Sequence, residues 1–376
     1  MASSPLALAQ SHCWSELPLD LKQTVFERLG FTDFERAKSV CSSWQSGSRQ
    51  SQPNNQIPWI LLFPVDKNHC LLLNPQDKEK VYKTQHLGDH FGNSFCCKTY
   101  RSWLLMQTCY RGWENNHTYI LNVLTHERIN LPTTKTLFTP QLLWIDEKTK
   151  DYLVIGNVDD ENLISFKKGD SSWREILLFP DIGDRRMRCH ETIPQLVYKD
   201  DKVVCLNFDK LHVFDFSRDV PVLVFTACVK ECVKRQIVYC MKIPPEDDVH
   251  RRNNVVVTLG GDILIVTREL PRRSITWNFN IFKMTAGYSS KWEEVFTLGD
   301  EAILLELGIT VLAKDLEGIT SNSIYFCEDL HWELDYENDL YIYNLDTKMV
   351  EQPQRFVSSS DPFSNACWFL PSFKRG

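Results

Sequence analysis

The chain has no hydrophobic run close to the roughly 18 residues that cross a bilayer as a helix, so no membrane span is expected. It also lacks positive charge in excess. Its 42 Lys and Arg are outnumbered by 49 Asp and Glu, for a net charge of −7, which argues against a phosphate-tracking nucleic-acid binder. Neither nucleic acid nor membrane is therefore expected as a partner. There is no Gly-rich phosphate loop, no nucleophile elbow and no His-Glu-x-x-His metal helix. Gly260-Gly261 fits a two-residue hairpin turn better than a phosphate cradle. The ten His are scattered, and an isolated one such as His212 on a strand reads as structural. A leader peptide is not expected. Leu6–Ala9 is too short for a secretory core, and the first basic residue is Lys22.

The thirteen Cys are an odd number, and Cys41, Cys70, Cys205, Cys240 and Cys327 sit in apolar or strand-like runs. They read as small hydrophobes in a reducing compartment, in the nucleus or the cytoplasm. Cys96-Cys97 and Cys228/Cys232 have no matching second half of a zinc site, so no metal and no cofactor is expected. Asn116-His117-Thr118, a formal glycosylation acceptor, is accidental on this reading.

What the chain does contain falls into two unlike parts. Eleven Trp and 21 Phe point to layered sheets that need bulky, rigid filling. Trp14 to Gln50 is different. Leu17-Pro18 opens a helix with Pro at the first helical position, and Leu21, Val25 and Leu29, with Phe26 beside them, give it an apolar stripe. Gly30 ends that helix; Thr32 with Glu35 forms a capping box for the next. Phe34, Ala37, Val40 and Cys41 form the second apolar face, with Trp44 one turn beyond. Two or three such helices in about 35 residues cannot shelter their own apolar surface well. Either they cap the downstream domain or they borrow a partner's surface.

The succession Leu17-Pro18-Leu19-Asp20-Leu21, Val25-Phe26-Glu27-Arg28-Leu29, Asp33-Phe34-Glu35-Arg36-Ala37, Val40-Cys41 and Trp44 resembles the F-box in order and spacing. Gly30 departs from the Pro that many members have there. The resemblance implies that Leu17, Pro18, Leu19, Leu21, Val25, Leu29, Val40 and Cys41 dock on a Skp-type adaptor, and through it on a cullin. Phe26 and Trp44 would instead hold the helices together.

Residues 45–56 hold no large apolar side chain and read as a fraying helix end and a linker. Beyond them a strand–turn–strand unit recurs at Cys70–Thr84, Tyr119–Thr133, Leu163–Leu178, Leu211–Phe225, Phe279–Leu298 and Leu340–Gln354. Further strand-like runs precede each: Ile60–Val65, Trp103–Tyr110, Tyr152–Val158, Val203–Phe208, Val255–Thr267 and Ser323–Cys327. Unit starts 44 to 68 residues apart are the spacing of propeller blades, and six are counted. The expected fold is mainly β: a small helical F-box and a β-propeller, with another multi-sheet all-β domain as the alternative. Cys367-Trp368-Phe369-Leu370 would add a strand to the first blade.

Gly260–Arg268, Phe279–Met284, Lys291–Val295, Leu298–Ala302 and Asn322–Phe326 together resemble the plant KIB-type propeller found behind F-boxes. Leu73-Asn74-Pro75 and Leu121–Thr125 match its first blades. The expected domains are a disordered 1–13, an F-box at 14–50, a linker at 51–56 and a propeller at 57–376. The resemblance implies a non-catalytic substrate-recognition subunit of a Skp–cullin–F-box ubiquitin ligase, with an unknown protein client. Two rivals stand beside it: a propeller enzyme or ligand sensor with an F-box-like cap, and an F-box protein acting outside the cullin complex. An acidic loop, Glu328 to Asp339, carries His331, Trp332 and Tyr336 and is either a client-binding rim or a solvated blade loop. Arg185-Arg186-Met187-Arg188 is either an acidic-client site or nuclear-import signal, or a plain exposed loop.

Overall fold

The most apolar strands, WILLFP at Trp59–Pro64 (β1) and WLLMQT at Trp103–Thr108 (β5), are buried at every residue. A strand apolar on both faces needs cover on both sides. The computed structural model supplies it by stacking sheet against sheet. It describes residues 14–29, 31–49, 51, 59–73, 81–108, 117–134, 136–159, 162–178, 194–207, 210–229, 249–271, 277–285, 291–315, 319–327, 340–351 and 363–369. Two compact units contain them, one at residues 14–51 and one at 59–369.

In the larger unit, β1 is followed by β2 (Leu71–Leu73) and β3 (Val81–Lys83). The second sheet is β4 (Ser94–Tyr100), β5, β6 (Thr118–Asn122) and β7 (Arg128–Asn130). The third is β8 (Thr139–Ile145), β9 (Tyr152–Asn157), β10 (Asn162–Lys167) and β11 (Arg174–Leu177). The fourth is β12 (Gln195–Lys199), β13 (Lys202–Asn207), β14 (Lys210–Asp215) and β15 (Val222–Cys228). Then come β16 (Val249–Val257), β17 (Ile263–Pro271), β18 (Asn278–Met284) and β19 (Trp292–Val295). A last group holds β20 (Glu301–Leu304), β21 (Ile309–Leu312), β22 (Ser323–Cys327), β23 (Leu340–Asn344) and β24 (Met349–Glu351). These two groups form one nine-stranded sheet, fused by the single parallel bridge Val257↔Ile309. The hairpin β20–β21 causes the fusion, and it leaves β20 parallel to β22 where the other blades begin with antiparallel pairs.

The C-terminal β25 (Phe363–Phe369) pairs antiparallel with β1 from Trp59↔Phe369 to Pro64↔Phe363, completing the first blade. The ring closes through its seams. Trp103, Leu105 and Ile120 meet Leu143, Val154 and Phe166 across blades 2 and 3. Further buried clusters join blades 3 to 4, 4 to 5 and 5 to 6. Ile60, Leu62 and Trp368 of blade 1 then pack on Ala302, Leu304 and Tyr325 of blade 6. Thr99 Oγ1 donates to the Trp368 carbonyl at 2.6 Å, tying blade 1 to blade 2. Six blades follow, closed by the last strand.

Turn chemistry repeats with the blades. Asn122, Asp146 and Asn344 each accept, on Oδ1, the two backbone N–H groups two and three residues on. The chain then passes through a left-handed residue at His126, Lys150 and Lys348, with φ of 61, 56 and 54°. The shared pattern is Asn/Asp-x-x-Thr followed by a basic residue.

Several local expectations need correction. Pro18 is the N-cap, with φ −53° and ψ 152°, and the first helix is α1 (Leu19–Phe26), capped by Glu27 instead of running to Gly30. The second, α2 (Phe31–Lys38), starts before Thr32, which therefore lies inside the first turn instead of capping it. A third, α3 (Ser42–Ser48), occupies a stretch expected to fray; Gly47 and Ser48 are buried. The Gly260-Gly261 hairpin has three loop residues, 259–261, closed by Thr258 N–H donating to the Asp262 carbonyl at 2.9 Å. Gly261, at φ +89°, supplies the left-handed step that a three-residue loop requires. Residues 1–13, Gly30, Cys232, Cys240, Arg185–Arg188 and the 328–339 loop lie outside the described residues.

Candidate functional site

The smaller unit is built around four side chains. Phe26, Phe34, Ala37 and Trp44 are buried together, with Phe34 and Trp44 meeting the Phe26 ring edge-on at 4.9 and 5.4 Å. Trp44 Nε1 donates to the Trp14 carbonyl at 3.0 Å, so the segment before α1 is fastened to α3. Lys22 is buried too. Its Nζ donates to the Ser15 carbonyl at 3.0 Å and to Ser43 Oγ, satisfying an ammonium that burial would otherwise penalise. Gly47 makes room for it, since a Cβ there would sit 3.1 Å from Lys22 Cβ.

This core inverts α1. Lys22 and Phe26, four residues apart, face inward. Leu19 and Leu21 face outward, 50% and 48% exposed, and Val40, on the turn after α2, is 67% exposed. Pro18 is exposed as well. Leu17, Val25, Leu29 and Cys41 are half-buried and pack against the four-residue core. The eight residues singled out from the sequence thus divide into four outward-facing and four that also hold the unit together. Trp14, 69% exposed, was missed, because a lone Trp ahead of a helix carries no periodic signal. Lys22 was missed because a Lys on a short helix ordinarily points outward. His331, Trp332 and Tyr336 lie outside the described residues.

The propeller carries a second set of polar groups, on β4, on β14, on β17 and just after β20. Lys98 on β4 is half-buried, and enclosure by protein lowers its ammonium pKa from the ordinary lysine value. Glu306, just after β20, accepts the Cys327 N–H at 2.9 Å, while its Oε2 is buried without a partner. Burial raises its carboxyl pKa, against the opposing field of Arg268 and Lys98. Arg268 Nη1 donates to the Cys327 carbonyl at 3.2 Å, so Arg268 and Glu306 grip the same residue from two sides. Cys96 is pushed well up, first by its hydrogen bond with Cys367 and then by burial. A thiol held protonated is a poor nucleophile. His212 is buried beside Thr226 Oγ1, 3.0 Å from Nδ1, and burial lowers its pKa to about 4, which keeps it neutral. Among the described residues no group of three or more His, Cys, Asp or Glu is placed to hold a metal.

Comparison with known proteins follows the same division. The F-box domain model matches residues 14–54, and the KIB1-4 beta-propeller model matches residues 71–344. The F-box protein At1g69090 of Arabidopsis thaliana is 51% identical over all of both chains. The putative F-box protein At5g66830 of the same plant is 51% identical over 96% of this chain and 94% of its own. The probable F-box protein At4g22060 is 37% identical over 98% and 99%. The two models fall on the two units, the relatives match the chain along nearly its whole length, and the chain belongs to the F-box proteins with a KIB1-4 beta-propeller.

Proposed function

We propose that this chain is the substrate-recognition subunit of a Skp–cullin–F-box ubiquitin ligase, its F-box docking on a Skp-type adaptor and its propeller holding a protein client. One observation carries the reading: α1 spends an inward position on Lys22 while Leu19 and Leu21 stay half-exposed. Covering the exposed half of each leucine is worth on the order of 1 kcal/mol, a gain that a docked partner would realise. The F-box family is the one whose members dock in this way. Ubiquitin transfer then follows from tethering, which raises the effective concentration of the charged conjugating enzyme beside the client's lysines, with no acid or base from this chain. The eight described cysteines are free thiols, which fits a site of action in the nucleus or cytoplasm.

The test is Leu19→Asp with Leu21→Asp in the full chain. Capture of a purified Skp-type adaptor is expected to weaken at least about a hundredfold, roughly 3 kcal/mol. Thermal unfolding should be unchanged, because neither side chain belongs to the core. Undiminished capture would overturn the adaptor assignment. Leu17 and Val25 are poorer targets, since they pack on Phe26 and its neighbours and their loss would confound binding with unfolding.

A further inference from the structure

The closing strand β25 meets a different neighbour with each of its faces. Successive side chains on a strand point to opposite sides of the sheet. Trp368 packs with Ile60 and Leu62 toward blade 6. Cys367, the residue before it and the register partner of Leu61, therefore faces blade 2. There it meets β4, whose Thr99 already holds the Trp368 carbonyl. Two adjacent cysteines on β4 point into different seams. Cys97 packs on the cluster shared by blades 2 and 3. Cys96, 2% exposed, turns back toward blade 1 and hydrogen-bonds the Cys367 thiol. Cys70 is buried in blade 1, with its thiol 3.8 Å from Thr84 Oγ1. Cys96 and Cys367 are thus a dithiol in contact, one member buried and the other half-buried.

We infer that Cys96 and Cys367 are a redox-modification site, a dithiol that a peroxide converts into a disulfide clasping the closing strand to blade 2. The chemistry balances in two steps. The Cys367 sulfur, the more accessible of the two, attacks the O–O bond of hydrogen peroxide and gives up its proton. One oxygen stays on it as a sulfenic acid, and the other leaves as water. The Cys96 sulfur then displaces the sulfenic hydroxyl, which takes the Cys96 proton and leaves as a second water. Two thiols lose two electrons in all, and one peroxide gains them. Cys96, held protonated, is a poor first nucleophile, but as the resolving thiol it meets a sulfur already beside it. Disulfides that form in reducing compartments are mostly transient and redox-sensing, and this one would be of that kind. Its consequence follows from its place. A clasp between residues roughly 270 positions apart removes much of the unfolded chain's freedom, and it makes covalent a closure that otherwise rests on strand pairing and packing.

The test treats the full, reduced chain with hydrogen peroxide. Disulfides are mapped by mass spectrometry of a non-reduced tryptic digest, and the unfolding midpoint of the propeller is read before and after. Tryptic peptides 84–98 and 356–374 carry the two cysteines, and in Cys97→Ser each peptide holds one cysteine only. A cross-link between these peptides is expected in the wild-type and Cys97→Ser chains. With it the midpoint should rise by at least about 4 °C, and dithiothreitol should reverse both changes. Cys367→Ser, at a half-buried position, should lose the cross-link and the rise together. Absence of the cross-link from the wild-type chain, its absence from Cys97→Ser, or a peroxide-induced rise that survives Cys367→Ser overturns the proposal.

Discussion

The two units solve the burial problem in opposite ways. The propeller wraps every central strand between neighbours, so that Leu61, Trp103, Leu104 and Val154 have essentially no exposure. The F-box centres on four buried side chains and leaves four of its apolar candidates outside. A ring has no free face to leave uncovered, and a three-helix fragment has little else. The contrast teaches that exposed leucine is a defect in one context and an invitation in the other.

The comparison can be broken most directly at Phe26. Phe26→Ala should cost about 3–5 kcal/mol, more than so small a core can lose, and abolish both adaptor capture and the low-temperature unfolding step while the propeller transition stays. The converse is Trp368→Ala, expected to cost about 3–5 kcal/mol in the larger unit, lowering its transition while adaptor capture persists. If either variant moved both transitions together, the two units would not be independent. Lys22→Ala should cost about 1–3 kcal/mol by removing the charge-assisted hydrogen bonds to the Ser15 carbonyl and Ser43 Oγ, visible as a lower unfolding midpoint of the F-box step alone. The smallest effect concerns pH. The folded pKa of His212 is lowered to about 4, whereas an unfolded histidine titrates near 6.5, so the unfolded chain binds more protons between these values. This contribution to propeller stability is full above pH 6.5 and is lost as pH falls toward 4. A His212→Gln chain should show a flatter melting-temperature profile in that window.

Much of the ring was legible in sequence because the second and third strands of each blade are apolar runs, with a polar turn leading to the fourth. The first strands β4 and β8 were not. In β4 a bulge between Cys96 and Lys98 breaks the two-residue alternation, and in β8 another lies between Pro140 and Leu142. Val255–Thr267, read as one run, is the end of β16, a turn and the start of β17. The Asn/Asp-x-x-Thr turn recurs at Asn122, Asp146 and Asn344, and it would have marked three hairpins had it been sought. In the F-box, spacing identified the helices but not their rotation: Leu21, read in one apolar stripe with Val25 and Leu29, faces outward, and Lys22 faces the core. Four-residue periodicity over eight residues fixes the angle poorly when one buried position is polar and satisfied by Ser15 and Ser43.

Because β25 supplies the first blade's missing strand, β1 must wait for it through roughly 300 residues of synthesis, on the order of tens of seconds on the ribosome. The F-box finishes emerging long before that. On the ligase reading proposed above, a message truncated ahead of Phe363 would therefore yield a product with an F-box and an unclosed ring, a competitor that occupies the adaptor and delivers nothing.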